Sequence, residues 1–189
     1  GVLDFEDVLV LTAGILQDYP AIAQRIHRQY RSFVVDEYQD VSALQHHVLN
    51  LWLGGRHDIC VVGDVAQTIY SFAGASPRYL QDFAQEHKGA RVVQLVRDYR
   101  STPQIVSAAN TLMKGEHSSV LKGAVKLVSQ RDDGVPVEYQ SYADDNDEAV
   151  GIARRIRGLH DDGVSYSTIA ILYRTNGQSE NFEAQLSEA

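Results

Sequence analysis

Residues 33–40 combine a β-branched apolar segment with two adjacent carboxylates. Val34 and Val35 favour a strand, and Asp36 and Glu37 then stand where that strand ends. Two carboxylates placed in this way can divide the work of phosphoryl transfer, because one holds a divalent metal ion while the other activates the attacking water. The same pattern also fits a strand that ends in a solvated acidic turn, so the pair needs support from the rest of the chain.

Three further polar motifs follow or close predicted strands at 59–62, 92–96 and 169–173. They read GDVAQTIYSFAGA at 63–75, DYRSTP at 98–103 and LYRTNGQS at 172–179. The carboxyl ends of parallel strands share one edge of an open α/β sheet, and that edge is where such folds bind ligands. The motifs therefore favour a ligand site at this edge.

Helices are predicted between these strands, which indicates an α/β fold with a parallel sheet flanked by helices. Asp4 and Asp7 form a capping-box pattern before the first helix, which Pro20 ends. Ser76 and Thr102 each precede a proline, as expected at a helix start. The other predicted elements are helices at 21–30, from 42 to 53, at 144–160 and at 179–186, and strands at 125–128 and 137–142.

The composition narrows the class of protein. A net charge of −8 argues against a simple basic DNA-binding module, but it allows a motor that grips a single strand by stacking in a narrow cleft. The only cysteine, Cys60, is expected to be buried in the second strand and cannot form an intrachain disulfide. No apolar run has the length of a membrane span and no leader precedes the first helix, so we expect a cytoplasmic protein without a membrane partner.

The ordered motifs DEYQD at 36–40, GDVAQTIY at 63–70 and YRST at 99–102 resemble the UvrD/Rep/PcrA family of superfamily 1 DNA helicases. The resemblance extends over nearly the whole chain. The variant QTIYSFAGA at 67–75 is similar to that of a second UvrD-type paralogue of actinobacteria. The family implies two P-loop (RecA-like) motor domains, the use of ATP and Mg²⁺, and movement along single-stranded DNA in the 3′ to 5′ direction.

The resemblance also implies roles for individual residues. Asp36 would hold Mg²⁺, Glu37 would activate the water, and Gln67 would sense the γ-phosphate and couple it to the DNA cleft. Tyr99 would stack on adenine, and Arg100 would contact the γ-phosphate as arginine fingers do. The proposed DNA contacts are Tyr70, Phe72, Arg174 and Asn176.

Several of these residues have a simpler reading, and the motif neighbours Gln39 and Asp40 have one too. Gln39 and Asp40 could cap the helix that begins near Ser42, and Tyr70 and Phe72 could be core aromatics. Tyr99 could be a core tyrosine and Arg100 a surface arginine, while Arg174 could pair with an acidic neighbour.

Two departures from the family pattern stand out. Phe72 occupies a position where the family usually has Trp, and Ala73 one where it usually has Arg.

No GxxxxGK[ST] P-loop occurs in the sequence. We therefore expect a central fragment that is inactive by itself, with residues 1–114 in the first motor domain, 115–124 as a linker and 125–189 in the second.

Two other functions remain open at this stage. One is the helicase part of a helicase–nuclease of the RecB or AddA kind, which a nuclease domain elsewhere in the protein would reveal. The other is a non-catalytic interaction domain without a P-loop.

Overall fold

The computed structural model describes residues 3–114 and 124–187, and its chain divides into two compact units. The first unit is Gly1–Pro136 and the second is Val137–Ala189. The expected linker at 115–124 lies outside the described residues except for its last position. The division into two motor domains at that linker stays a prediction.

The first unit alternates helices with short strands, as the sequence predicts. Asp4 and Asp7 form the expected capping box before the first helix, and Ser42 with Gln45 forms another before the third. Gly54, at φ +60°, ends that third helix in the left-handed conformation that glycine tolerates. The elements are α1 (Phe5–Asp18), α2 (Pro20–Gln29), β1 (Phe33–Val35), α3 (Ala43–Leu53), β2 (Ile59–Val61), α4 (Arg78–Glu86), β3 (Arg97–Asp98), α5 (Pro103–Leu112) and β4 (Val128–Ser129).

Two parallel strand pairs are present in the described residues. β1 pairs with β2 in the register Phe33↔Ile59, and β3 pairs with β4 in the register Arg97↔Val128. The α/β class is thereby confirmed in its coarse form, a mixed fold with small parallel sheets. The helix predicted to start with Ser76 as its cap begins instead after Pro77.

The expected strands at 92–96, 137–142 and 169–173 were wrong, since the described chain has no strand in these segments. The strand expected at 125–128 is shifted to Val128–Ser129. A strand exists only where a neighbour completes its hydrogen bonds, and an apolar run alone does not supply that neighbour. Leu95 is 73% exposed and Leu172 is 94% exposed, so these runs lack covering partners as well.

Arg56 ties the helical layer of the first unit to the start of β1. Its guanidinium donates hydrogen bonds of 2.7–3.0 Å to four backbone carbonyls, which close the ends of α2 and α3. These carbonyls belong to His27, Tyr30, Trp52 and Leu53. Cys60 lies in β2 as expected, but it is exposed rather than buried, because within the described residues no element covers that face of the strand pair.

The second unit is built on α6 (Asp145–Asp161) and α7 (Ser179–Ser187). Asp144 caps α6 by accepting hydrogen bonds from the N–H groups of Asn146 and Asp147. The two helices pack against each other, and Ala153 and Ile156 of α6 and Phe182 of α7 are buried. None of the described helices in either unit is long and apolar enough to cross a membrane.

Candidate functional site

The pairing of β1 with β2 places two of the predicted motifs side by side. It continues past the strand ends, because Val62 N–H donates to the Val35 carbonyl at 2.8 Å and Tyr38 N–H donates to the Val62 carbonyl at 2.9 Å. The carboxylate pair after β1 therefore lies next to the Gly63-Asp64 turn after β2. This is the shared strand edge that the sequence predicts.

Glu37 has an unusual backbone conformation at this edge. It lies in the left-handed region, at φ 51° and ψ 40°, and among the described residues it is the only non-glycine with positive φ. Its N–H donates to Asp36 Oδ1 at 3.0 Å, and both carboxylates are exposed. Such a conformation costs a non-glycine residue about 1–2 kcal/mol and persists only where the surroundings enforce it.

Gln39 holds the side chain of Glu37 from a buried position, with 1% of its surface exposed. Its Nε2 donates to Glu37 Oε2 at 2.7 Å and to Asp40 Oδ2 at 3.3 Å. Its Oε1 accepts the N–H of Asp64 at 3.0 Å. The idea that Gln39 and Asp40 cap α3 was wrong, because Ser42 and Gln45 already satisfy that helix end.

Asp64 holds the predicted γ-phosphate sensor in place. Its Oδ2 accepts the side-chain amide of Gln67 at 3.0 Å, and its Oδ1 accepts the N–H of Ala66 at 2.9 Å. Gln67 is exposed at the end of a short 3₁₀ turn, Val65–Gln67. The structure therefore brings Asp36, Glu37 and Gln67 to one edge of the first strand pair.

Two aromatic rings extend this region along the same loop. Asp40 Oδ1 accepts the N–H groups of Ile69 and Tyr70 at 3.2 and 3.4 Å, which anchors the loop to the motif after β1. The rings of Tyr70 and Phe72 lie 6.1 Å apart and are 50% and 82% exposed. The core-aromatic reading of both residues is therefore wrong.

The YRST motif forms a separate turn after β3. Asp98 Oδ1 accepts the N–H groups of Ser101 and Arg100 at 2.8 and 2.7 Å, and these bonds hold the pKa of Asp98 below its usual value. Arg131 donates to the Arg100 carbonyl at 3.0 Å. Tyr99 is 70% exposed, which excludes a core tyrosine, and the Arg100 side chain is also exposed.

The described residues do not join this turn to the carboxylate pair by any hydrogen bond or ion pair. Tyr99 and Arg100 share the first unit with Glu37, but they are carried by the second strand pair. The side chains of Arg100 and Tyr99 are thus free to meet a ligand.

Asp36 fits a magnesium ion that would be shared with phosphate groups. Mg²⁺ in ATPase sites takes one or two carboxylates and completes its shell with phosphate oxygens and water. Asp36 Oδ2 accepts no hydrogen bond from the described residues, so it keeps a hard oxygen donor available. The described residues contain no group of three or more His, Cys, Asp or Glu side chains that could hold a metal by themselves.

Arg174 and Asn176 lie in the second unit, on a turn before α7. The Gln178 side chain accepts the N–H groups of Arg174 and Thr175 at 2.9 and 3.0 Å and fixes this turn. Both predicted DNA contacts are exposed. Arg174 forms no ion pair with an acidic residue in the described part of the chain, which removes the simpler reading of its role.

Comparison with models of protein families shows the family to which the chain belongs. A model of the UvrD/REP helicase N-terminal domain matches residues 1–88, and a model of the UvrD-like helicase C-terminal domain matches residues 93–189. The second match alone takes in more than half of the chain. The chain belongs to the UvrD-like helicase family. The resemblance based on the DEYQD, GDVAQTIY and YRST motifs is thereby confirmed.

Individual members of the UvrD-like family are similar over the whole chain. ATP-dependent DNA helicase UvrD2 of Mycobacterium tuberculosis is 47% identical over 187 residues, which are 99% of this chain and 27% of that protein. ATP-dependent DNA helicase PcrA of Leuconostoc citreum is 35% identical over 99% of this chain and 25% of its own length. DNA helicase II of Escherichia coli is 33% identical over 100% of this chain and 26% of its own length. The chain thus spans about a quarter of these relatives.

Proposed function

We propose that the protein containing this chain is an ATP-dependent DNA helicase that moves 3′ to 5′ on single-stranded DNA and unwinds duplexes in DNA repair. The observation that carries the proposal is the linkage of Glu37 through Gln39 to the loop that bears Gln67. Membership of the UvrD-like family and relatives named as ATP-dependent DNA helicases support it. A DNA motor works where the DNA is, so a cytoplasmic location belongs to the same proposal.

The hydrolytic roles follow from the chemistry of each side chain. The Asp36 carboxylate helps to hold Mg²⁺, which neutralises charge on the phosphates when it is bound. Glu37 orients and deprotonates the attacking water, and Gln67 contacts the γ-phosphate from the adjoining loop. Tyr99 stacks on adenine, and Arg100 stabilises the negative charge that develops during phosphoryl transfer.

DNA contacts are proposed on both units. Tyr70 and Phe72 offer exposed rings on which bases stack, and Arg174 and Asn176 contact the strand from the second unit. Residues 1–114 then belong to the first RecA-like motor domain and residues 125–189 to the second. The P-loop that holds the other phosphates is expected in a part of the protein outside this sequence.

Replacing Glu37 by Gln in the intact protein tests the hydrolytic proposal. The variant keeps the size of the side chain but removes the base, so turnover of ATP should fall by about 10²–10⁴-fold. Binding of a fluorescent ATP analogue should stay within about threefold of wild type, since the phosphate contacts remain. The measurement is DNA-stimulated ATP hydrolysis under steady-state conditions.

The exposed Glu6 of α1 provides the matched control, because Glu6→Gln makes the same chemical change away from the strand edge. Normal turnover in Glu37→Gln would remove Glu37 from the role of base. Absence of ATP hydrolysis by the wild-type intact protein would reject the proposed function itself.

A further inference from the structure

Gln39 occupies the point where the two motifs of the strand edge meet. Its three polar contacts reach Glu37 and Asp40 on one side and the Asp64 N–H on the other. The last contact spans 25 positions of sequence, so it links the loop after β1 to the loop after β2. A buried amide with its donor and acceptor both engaged has little freedom to reorient.

The side-chain amide of Gln39 lies close to Gly63. A methyl group placed on Gly63 would lie 2.5 Å from Gln39 Oε1 and 2.9 Å from Leu80 Cδ2, both closer than real contacts allow. Glycine at this position therefore lets the side chain of Gln39 approach the backbone of the second motif. The contact is part of the packing of the edge and not a chance surface hydrogen bond.

The donor of the amide acts on the proposed base itself. Nε2 donates to Glu37 Oε2 at 2.7 Å, while the backbone of Glu37 is held in the left-handed region. This bond fixes one carboxylate oxygen and leaves Oε1 free of hydrogen bonds from the described residues. A carboxylate with one oxygen fixed and the other available is oriented to take a proton from water.

The acceptor of the same amide reaches the loop of the proposed sensor. Asp64, whose N–H binds Gln39 Oε1, receives the Gln67 amide on its own side chain at 3.0 Å. A continuous chain of hydrogen bonds therefore runs from Glu37 through Gln39 and Asp64 to Gln67.

We propose that Gln39 is a positioning residue that orients the Glu37 carboxylate and couples it to Gln67. The inference rests on the proposed function, because it assigns a role relative to the base of ATP hydrolysis. Gln39 is too deeply buried to meet the nucleotide, so it acts through its neighbours. Its loss should therefore change turnover more than nucleotide affinity.

Two variants of the intact protein test this role. Gln39→Ala removes all three side-chain contacts, so kcat for DNA-stimulated ATP hydrolysis should fall by about tenfold or more while KM for ATP stays within about threefold. Gln39→Glu keeps the size and the acceptor for the Asp64 N–H, but it places a carboxylate against Glu37. The Glu37 carboxylate then loses its hydrogen-bond donor and faces a like charge, so kcat should again fall by about tenfold or more while KM for ATP stays within about threefold.

Gln17 of α1 is exposed, and the changes Gln17→Ala and Gln17→Glu are the matched controls. Unfolding midpoints of all variants separate loss of fold from loss of positioning. If Gln39→Ala does not fold, the size-preserving Gln39→Glu variant decides by its split between kcat and KM for ATP. An unchanged kcat in the Gln39 variants, in a protein where Glu37→Gln still abolishes turnover, would overturn the positioning role and leave the proposed function standing.

Discussion

Tyr70 and Phe72 show how the exposure of a side chain changes the role that is inferred for it. Large aromatic side chains are usually buried, yet these two rings are 50% and 82% exposed on a loop anchored by Asp40. An anchored loop presents its rings in a fixed place, which lowers the entropy lost when a base stacks on them. Exposed rings near a predicted hydrolytic site therefore suit the stacking role that the family resemblance implies.

Replacing Phe72 by Ala in the intact protein should weaken binding to single-stranded DNA. A stacked base is worth about 1–3 kcal/mol, which corresponds to a loss of affinity of roughly 5- to 150-fold. Phe5→Ala is the matched control, because Phe5 is 94% exposed on α1 and has no assigned role. Fluorescence anisotropy with labelled oligo(dT) at fixed salt measures both, and equal affinities for the two variants would exclude stacking by Phe72.

Candidate site residues could be selected from sequence only where a motif names them, and their roles stay predictions. Asp36, Glu37 and Gln67 could be selected because the motif order is specific, and the structure brings them to one edge. Gln39 could not be distinguished from a helix cap, because its decisive contact crosses to Asp64 in another loop. The left-handed backbone of Glu37 also leaves no signal in the residue type.

At the scale of elements, a histidine of α3 packs against side chains of α4. The ring of His46 stacks on Tyr79 at 4.0 Å between centroids, and its Nε2 lies 3.9 Å from Glu86. Burial lowers the pKa of His46, and nearby His87 and His47 add to this, whereas Glu86 opposes the shift. The neutral ring is therefore the form that fits between the helices.

This packing predicts the direction in which the stability of the fold changes with pH. The unfolded chain binds a proton at the ordinary histidine pKa of 6.5, above the folded value, so stability is lost as pH falls below that value. In the intact protein, His46→Gln should lower the unfolding midpoint at neutral pH, because the stacking is lost. The substitution should also reduce the further drop of the unfolding midpoint between about pH 7.5 and about pH 5.5.

Thermal unfolding at the two pH values measures the difference, with the exposed His47 on the same helix changed to Gln as the control. The control should keep most of the acid-dependent loss of the wild type, because His47 is the smallest of the causes that shift the pKa of His46. A loss in His46→Gln as large as that of the wild type would show that His46 does not titrate in this range.

Helices could be predicted from sequence more closely than strands in this chain. Asp4, Ser42 and Asp144 bind backbone N–H groups that lie only a few positions further along the chain. Each of the three is the N-cap of the helix that follows it. Strands depend on a neighbour that the local sequence does not specify. The segments at 92–96 and 169–173 have strand-like composition. In the described residues the first is paired only at its end, where the Val96 carbonyl accepts the Val128 N–H at 2.8 Å, and the second belongs to no sheet.

At the scale of the whole molecule, these apolar segments are the most unusual surface feature. Val92, Val93 and Leu95 are 65–73% exposed, and Leu172 is 94% exposed. The chain spans about a quarter of its relatives, so other parts of a longer protein can supply strands or side chains that cover these runs. Unpaired apolar segments of high β propensity otherwise promote association between copies.

Expressed by itself, the 189-residue chain should therefore self-associate at micromolar concentration. A Leu95→Lys, Leu172→Lys double variant should be more monomeric, because a charge in such a run opposes edge-to-edge pairing. Leu112→Lys, at a site that is 78% exposed on α5, adds one of these two charges outside the two runs and should not have this effect. Sedimentation velocity compares the three proteins, and a wild-type segment that sediments as a monomer would mean that the exposed runs are not adhesive. If Leu112→Lys disperses the segment as well as the double variant does, net charge rather than strand pairing controls association.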